Sequence, residues 1–200
     1  MKDTRYEVVN IMALEENNDN VQTVKHKTKI TAKVVSSQDE MNMVIAIRAC
    51  VFLGKPGWTY EHTFDANDHC ATHIIGFIND EPCGTVRIRW FRDFARIERI
   101  AIREEFRSLI LLNKIATTAL RLCRKKGYDK VGGLTYPGLI GFWGRHGAKP
   151  VGEAVDSEYG AVVPILGEPK HWEDITPITL EQAGSADFEW QVYGYEGAGL

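Results

Sequence analysis

Polar and apolar residues alternate from Lys25 to Val35, with His26, Thr28, Ile30, Ala32 and Val34 in step, which predicts a first strand. Ser37-Gln38-Asp39-Glu40 then reads as a capping box, with Ser at the cap and Glu three residues on. It opens a helix through Met43, Ala46, Ile47, Cys50 and Val51 that stops near Gly54 and Pro56. Gly54 to Asp68 has no periodicity and many turn formers, so a long loop is expected there. Thr72–Ile78 and Cys83–Trp90 read as paired strands around the turn Asn79-Asp80-Glu81-Pro82. Ala95–Ile102 follows as an Ile-rich strand after Arg92-Asp93.

The strongest helical period comes next. Leu109, Leu112, Ile115, Ala116, Ala119, Leu122 and Cys123 recur at three and four, and Gly127 follows Arg124, Lys125 and Lys126 where a helix stop belongs. Lys130 to Leu134 is a short strand, which a right-handed crossover sets parallel to Ala95–Ile102. Leu139 to His146 predicts a short helix, and Pro150-Val151 with Tyr159 to Leu166 a closing hairpin pair. The fold class is α/β (α+β), with a mostly antiparallel mixed sheet flanked by helices. With no repeat and no linker, residues 25–166 are expected as one domain. Residues 1–24 form a loosely ordered arm, and 167–200 a tail packing on the domain through Trp172 or Trp190. The sequence also allows a homodimer through that tail.

Composition narrows the function class. A net charge of −3 supplies no basic field, so nucleic acid is a poor partner. No apolar run approaches the roughly 20 residues of a membrane helix, and no apolar segment follows Met1-Lys2-Asp3-Thr4-Arg5 as in a signal peptide. Cys50, Cys70, Cys83 and Cys123 have no paired spacing, and Cys50 and Cys123 fall on apolar helix faces as expected buried thiols. The expectation is a reduced, cytoplasmic protein.

The connection Arg107-Ser108, between a strand and a helix, offers the unpaired N–H groups and partial positive charge of a helix N-terminus. This frame of strand, then Arg107 with Ser108 to Leu112, then a helix ending in Gly127, resembles the acyl-donor loop of the GNAT acyltransferases. In that family the loop is Arg/Gln-x-x-Gly-x-Gly/Ala, and its amides hold the phosphates of the donor. Here Ser108, Ile110 and Leu112 stand where glycines are expected. The resemblance implies a central, splayed parallel strand pair and an acetyl-CoA or other acyl-CoA donor. It places the donor on Ile100, Ala101, Ile102, Arg107, Ser108, Leu109, Ile110, Leu111 and Leu112.

A second series, Arg48, Phe52, Trp58, Asp65, Asp68, Gly84, Arg87 and Arg99, resembles the ordered pattern of the autoinducer synthases and related N-acyl amino acid synthases. That branch of the GNAT fold takes acyl groups from the phosphopantetheine of acyl carrier protein. Arg48, Trp58, Asp65, Arg87 and Arg99 become substrate-binding candidates by this resemblance.

Attack on a thioester needs a free amine, so a carboxylate must take a proton. Glu98 is the first candidate and Asp65 or Asp68 the second, while Asp68 alternatively orients a cationic acceptor. The competing assignment for Glu98 is an ion pair with Arg96 or Arg87, and for Asp65 and Asp68 a loop turn. The oxyanion would be met by backbone N–H groups of the splayed strand. Many GNAT enzymes protonate the thiolate from a Tyr in Phe-Tyr-x-x-x-Gly-Phe. Here Phe142-Trp143-Gly144-Arg145-His146-Gly147 fills that frame, and an indole N–H is no acid. Tyr136 or His146 substitutes, or the thiolate leaves unassisted. His62, Asp65, Asp68, His69, Cys70 and His73 fit no zinc signature, so no metal is assigned.

Three functions follow: acyl transfer from acyl-CoA to a small-molecule amine, an acyl-carrier-protein-fed N-acyl amino acid or acyl-homoserine-lactone synthase, and a non-catalytic acyl-CoA-binding module. Trp58, Phe77, Trp90, Phe91, Phe94 and Phe142 are either acyl-pocket or core residues.

Overall fold

The computed structural model describes residues 28–157 and 160–168. Eight strands form one connected sheet: β1 (Ile30–Val34), β2 (Thr72–Ile78), β3 (Glu81–Trp90), β4 (Ala95–Ile102), β5 (Val131–Thr135), β6 (Ala148–Pro150), β7 (Val155–Ser157) and β8 (Gly160–Gly167). Their order is β1-β2-β3-β4-β5-β8-β6, with β7 paired to β8. Every pairing is antiparallel except β4 with β5. The mixed sheet with one central parallel pair matches the expected class.

Four α-helices complete the described residues: α1 (Gln38–Phe52), α2 (Tyr60–Thr63), α3 (Leu109–Lys125) and α4 (Ile140–Arg145). Both long helices start at a serine cap, the expected one at Ser37 and a second at Ser108 that the sequence reading did not name. Ser37 Oγ accepts the Glu40 N–H, and Ser108 Oγ accepts the Leu111 N–H. The helix end at Gly127 has the positive φ of 85° that glycine allows, and the Tyr128 N–H bonds back to the Cys123 carbonyl.

The sheet lies between two apolar layers. Ile74, Val86, Ile88 and Ile97 face Leu111, Ile115 and Ala119 of α3. On the other face Ile75 and Ala101 meet Val44, Ile47, Val51 and Phe52 of α1. Burying side chains of this size is worth about 1.5–3 kcal/mol each, which fixes both helices against the sheet.

Two irregularities shape the centre. The β3–β4 register passes from Thr85↔Ala101 to Arg87↔Glu98, so Val86 alone stands against Arg99 and Ile100. Arg99 is the bulged residue, at a φ of 54° that a side chain rarely adopts. The β4–β5 pairing ends at Ile97↔Gly133, after which the strands part. Gly133 is required there, because a Cβ would stand 2.6 Å from the Ile97 carbonyl oxygen.

Several expectations change. The stretch from Gly54 to Asp68 is not a plain loop: Thr59 caps α2, and Asp65 caps a 3-10 turn over Ala66–Cys70. Helices this short show no period, and their signal is the cap alone. Cys50 is exposed, whereas Cys123 is buried as expected. Leu109 is 61% exposed, and Leu111 and Leu120 take its place in the core. The closing pair begins at Ala148 and includes the extra strand β7. Lys25–Lys27, the arm 1–24, and residues 169–200 of the expected tail 167–200, with its Trp172 or Trp190 contact and the homodimer contact, lie outside the described residues.

Candidate active site

The parting of β4 from β5 opens a slot. A cavity of about 290 Å3 runs through it, lined by Ile97, Ile100, Leu112, Gly133, Leu139 and Trp143 among others. Arg96, Glu98, Arg99, Phe52 and Trp58 also line it. Most of these walls are apolar, and the charged groups come from one short stretch of β4. A second cavity of about 770 Å3 lies beside it, lined by Lys55, Pro56, Ile102, Arg107, Ser108 and Leu109. Phe52, Trp58, Ile100, Leu112, Tyr136 and Leu139 line both cavities and join the two.

Of the donor residues expected from the sequence, Ile100, Ile102, Arg107, Ser108, Leu109 and Leu112 line these cavities. Ala101 and Leu111 do not; both are buried in the core. Ile110 points outward, 69% exposed. The large residues that replace glycine therefore leave the space open: Leu112 forms wall and Ile110 faces away. Ser108 spends its hydroxyl on the Leu111 N–H, and its carbonyl accepts the Leu112 N–H. The N–H groups of Leu109 and Ile110 stay at the free end of α3, the kind of helix start that could hold a phosphate oxygen.

Beside the slot lies an ionic network on the α1 face of the sheet. Arg48 and Arg87 are its centre, at 0% and 1% exposure. Arg87 donates to both Asp65 (2.6 and 3.0 Å) and Asp68 (2.7 Å), and from Nε to Glu98 (2.9 Å). Arg48 donates to Asp68 at 2.6 Å and to the Thr63 carbonyl. Arg99 donates to Asp65 at 3.2 Å and lies 5.6 Å over the Trp58 ring. Arg96 Nε lies 3.1 Å from the other Glu98 oxygen. Buried guanidiniums without these carboxylates would be costly, so the network locks α1, the Asp65 turn, β3 and β4 together.

Charge and burial set the ionisation of its members. Burial alone would raise the Asp65 carboxyl; the hydrogen bonds and charge of Arg87 more than reverse this and hold it well below the usual carboxylate range. Burial pulls His73 below its ordinary value, against the opposing pull of the Asp68 carbonyl 3.4 Å away. His73 is therefore neutral near pH 7.

The candidates of the sequence now separate by position. Trp58 and Arg99 reach the slot, whereas Arg48, Asp65, Asp68 and Arg87 line neither cavity. Asp65 does form the turn allowed for it, accepting the Asn67 N–H at 3.0 Å, while also binding arginines. Glu98 forms both anticipated ion pairs, with Arg87 and Arg96, and still lines the slot. Tyr136, 47% exposed, lies at the junction of the cavities, and His146 in the slot wall. Of the proposed acyl-pocket aromatics only Trp58 lines the cavities; Phe77, Trp90 and Phe142 pack in the cores, and Phe91 stacks on Phe94. Sequence reasoning missed Phe52, Tyr136 and Trp143 as aromatic lining, although Phe52 stacks on Trp58 at 4.2 Å. Among the described residues no group of three His, Cys, Asp or Glu side chains could hold a metal ion. Nor is any described helix long and apolar enough to cross a membrane.

The sequence profile of the acetyltransferase (GNAT) family matches residues 42–148. A Bacillus subtilis (strain 168) protein named "Putative acetyltransferase BSU40680" is 26% identical over 129 residues, 62% of this chain and 86% of that protein. Among solved structures, a "putative N-acetyltransferase" from Lactobacillus plantarum superposes with a TM-score of 0.63 at 19% identity, covering 72% of this chain and 99% of that one. FeeM, an N-acyl amino acid synthase from uncultured soil microbes, gives 0.61 at 13% identity, over 74% and 95% of the two chains. The AHL synthase LasI gives 0.57 at 14% identity, over 71% and 90%. These structural likenesses concern the fold. The family profile spans more than half of the chain, and the chain belongs to the GNAT acetyltransferase family and is an acyltransferase.

Proposed function

We propose that the protein transfers an acyl group from a pantetheine thioester, most simply an acyl-CoA, to a small-molecule amine. The observation that carries this reading is the slot between β4 and β5, which continues into a cavity flanked by Lys55, Arg107 and the start of α3. The pantetheine arm lies along that junction, its phosphate toward Arg107 and Ser108. The apolar part of the slot, walled by Leu112, Leu120, Val131 and Trp143, takes the acyl chain. Its volume of about 290 Å3 leaves room for more than an acetyl group.

In this reading the amine nitrogen attacks the thioester carbonyl, the C–N bond forms, and the C–S bond then breaks. The amine proton passes to Glu98, directly or through a water; of the three candidate carboxylates it alone lines the slot. Asp65 and Asp68, committed to arginines, are positioning residues. The oxyanion is met by backbone N–H groups at the Arg99–Ile100 bulge, where β4 has left β5. Tyr136, placed between the cavities, returns a proton to the departing thiolate.

A second donor, acyl carrier protein, is favoured by one feature. Leu109 is an exposed apolar residue lining the cavity beside Arg107, where a nucleotide would gain nothing from it. Release of free thiol from acetyl-, octanoyl- and dodecanoyl-CoA, with a pool of amines, tests the reading. Amine-dependent release from one of them is expected. No release from any of them, nor from acyl carrier protein, would exclude it.

A further inference from the structure

Two guanidiniums at the α1-facing end of the slot have donors to spare. Arg96 engages Glu98 through Nε, and no protein partner takes its terminal nitrogens among the described residues. Arg99 gives one Nη2 bond to Asp65, while its Nε is buried with no acceptor. Both side chains line the slot. The bulge at φ 54° sets the direction of Arg99, and the Trp58 ring holds its guanidinium plane at 5.6 Å. A strained residue and a buried unpaired donor persist only where something compensates them.

The local charge points the same way. Among the described residues, Arg48, Arg87, Arg89, Arg96 and Arg99 contact only three carboxylates, those of Asp65, Asp68 and Glu98. Five guanidiniums against three carboxylates leave two positive charges over in this group, and of the five only Arg96 and Arg99 line the slot. Phosphates of the donor do not answer this excess, because neither Arg96 nor Arg99 lines the cavity beside Arg107 and Ser108. Glu98 stands between them in sequence and at the same wall, so cationic and anionic handles are presented side by side.

We propose that the acyl acceptor is an amino acid, its carboxylate held by Arg96 and Arg99 while its ammonium faces Glu98. This rests on the acyl-transfer reading above and names the acceptor class for that site. Guanidinium–carboxylate hydrogen bonds are the strong, planar kind, so an acceptor lacking the carboxylate loses a large share of its binding.

The test is kinetic discrimination between matched acceptors. A pool of L-amino acids is compared with the corresponding amino acid amides and decarboxylated amines, using the best acyl-CoA donor and thiol release. The amino acids are expected to exceed both counterparts in kcat/KM by at least about 10-fold, as loss of a charged hydrogen bond implies. Arg99→Met and Arg96→Met should each collapse that ratio through a raised KM for the amino acid, and Arg99→Lys should restore part of it. A purely structural role would lower both acceptors alike and leave the ratio standing. Turnover with amines or amides equal to that with amino acids overturns the proposal and leaves acyl transfer intact. No release with any acceptor overturns both.

Discussion

Arg87 on β3 and Glu98 on β4 are cross-strand partners, and the Arg87 Nε donates to the Glu98 carboxylate at 2.9 Å. The same guanidinium holds Asp65 and Asp68, so one buried cation organises three acids from two separate parts of the chain. Arg87→Met is expected to lower unfolding free energy by about 3–5 kcal/mol, the cost of leaving a buried pair half broken. Chemical denaturation measures it. A loss under about 1 kcal/mol would show that the network is solvated and does not hold the site.

Glu98→Gln keeps the shape of the slot and removes the proton acceptor. Turnover at neutral pH should fall about 10²- to 10⁴-fold. Part of it should return at high pH, where the amine is already deprotonated. Acyl-CoA affinity, followed by calorimetry, should stay near the parent value. Unchanged turnover across the pH range would remove Glu98 from the proton path.

Asp65 ties pH to stability. Its carboxyl is held well below the usual range in the fold, against about 3.9 in the unfolded chain. A depressed carboxyl stabilises the fold above the unfolded value, and the gain is lost as pH falls toward the folded one. The parent protein should therefore lose stability steeply below about pH 4. Asp65→Asn should be less stable at pH 7 and show a shallower acid limb. Parallel acid limbs in urea titrations at several pH values would contradict the ion-pair account.

The thiols give an independent check of packing. Cys50 and Cys70 are exposed, whereas Cys83 and Cys123 are buried, and burial pushes the Cys123 thiol up to about 12. In the native protein an aromatic disulfide reagent should label Cys50 and Cys70 within minutes. The other two should react only on unfolding, and early labelling of Cys123 would show that α3 is not seated on the sheet.

Much of this architecture is written in local signals. The capping box at Ser37, the period of α3 and the alternation of β2 to β4 each report a single element, and each element appears where its pattern placed it. What was not legible depends on distant partners. Ala95–Ile102 alternates as a regular strand, and nothing in it marks Arg99 as the bulge, since the bulge exists only relative to Val86 on β3. Asp65 reads as a turn former, and its arginines lie 22 and 34 residues away. Tyr136 became a candidate only because Trp143 could not act as an acid, and its place between two cavities follows from β5 leaving β4.

The central claim is that the thioester arm threads the gap beyond Ile97 and Gly133. A crystal structure with a non-transferable acyl-CoA thioether tests it most directly. The sulfur is predicted between Ile97–Ile100 and Gly133–Tyr136, with the acyl chain toward Trp143 and the phosphates beside Arg107. An analogue bound at saturating concentration elsewhere on the protein, with the gap still empty, would contradict the account.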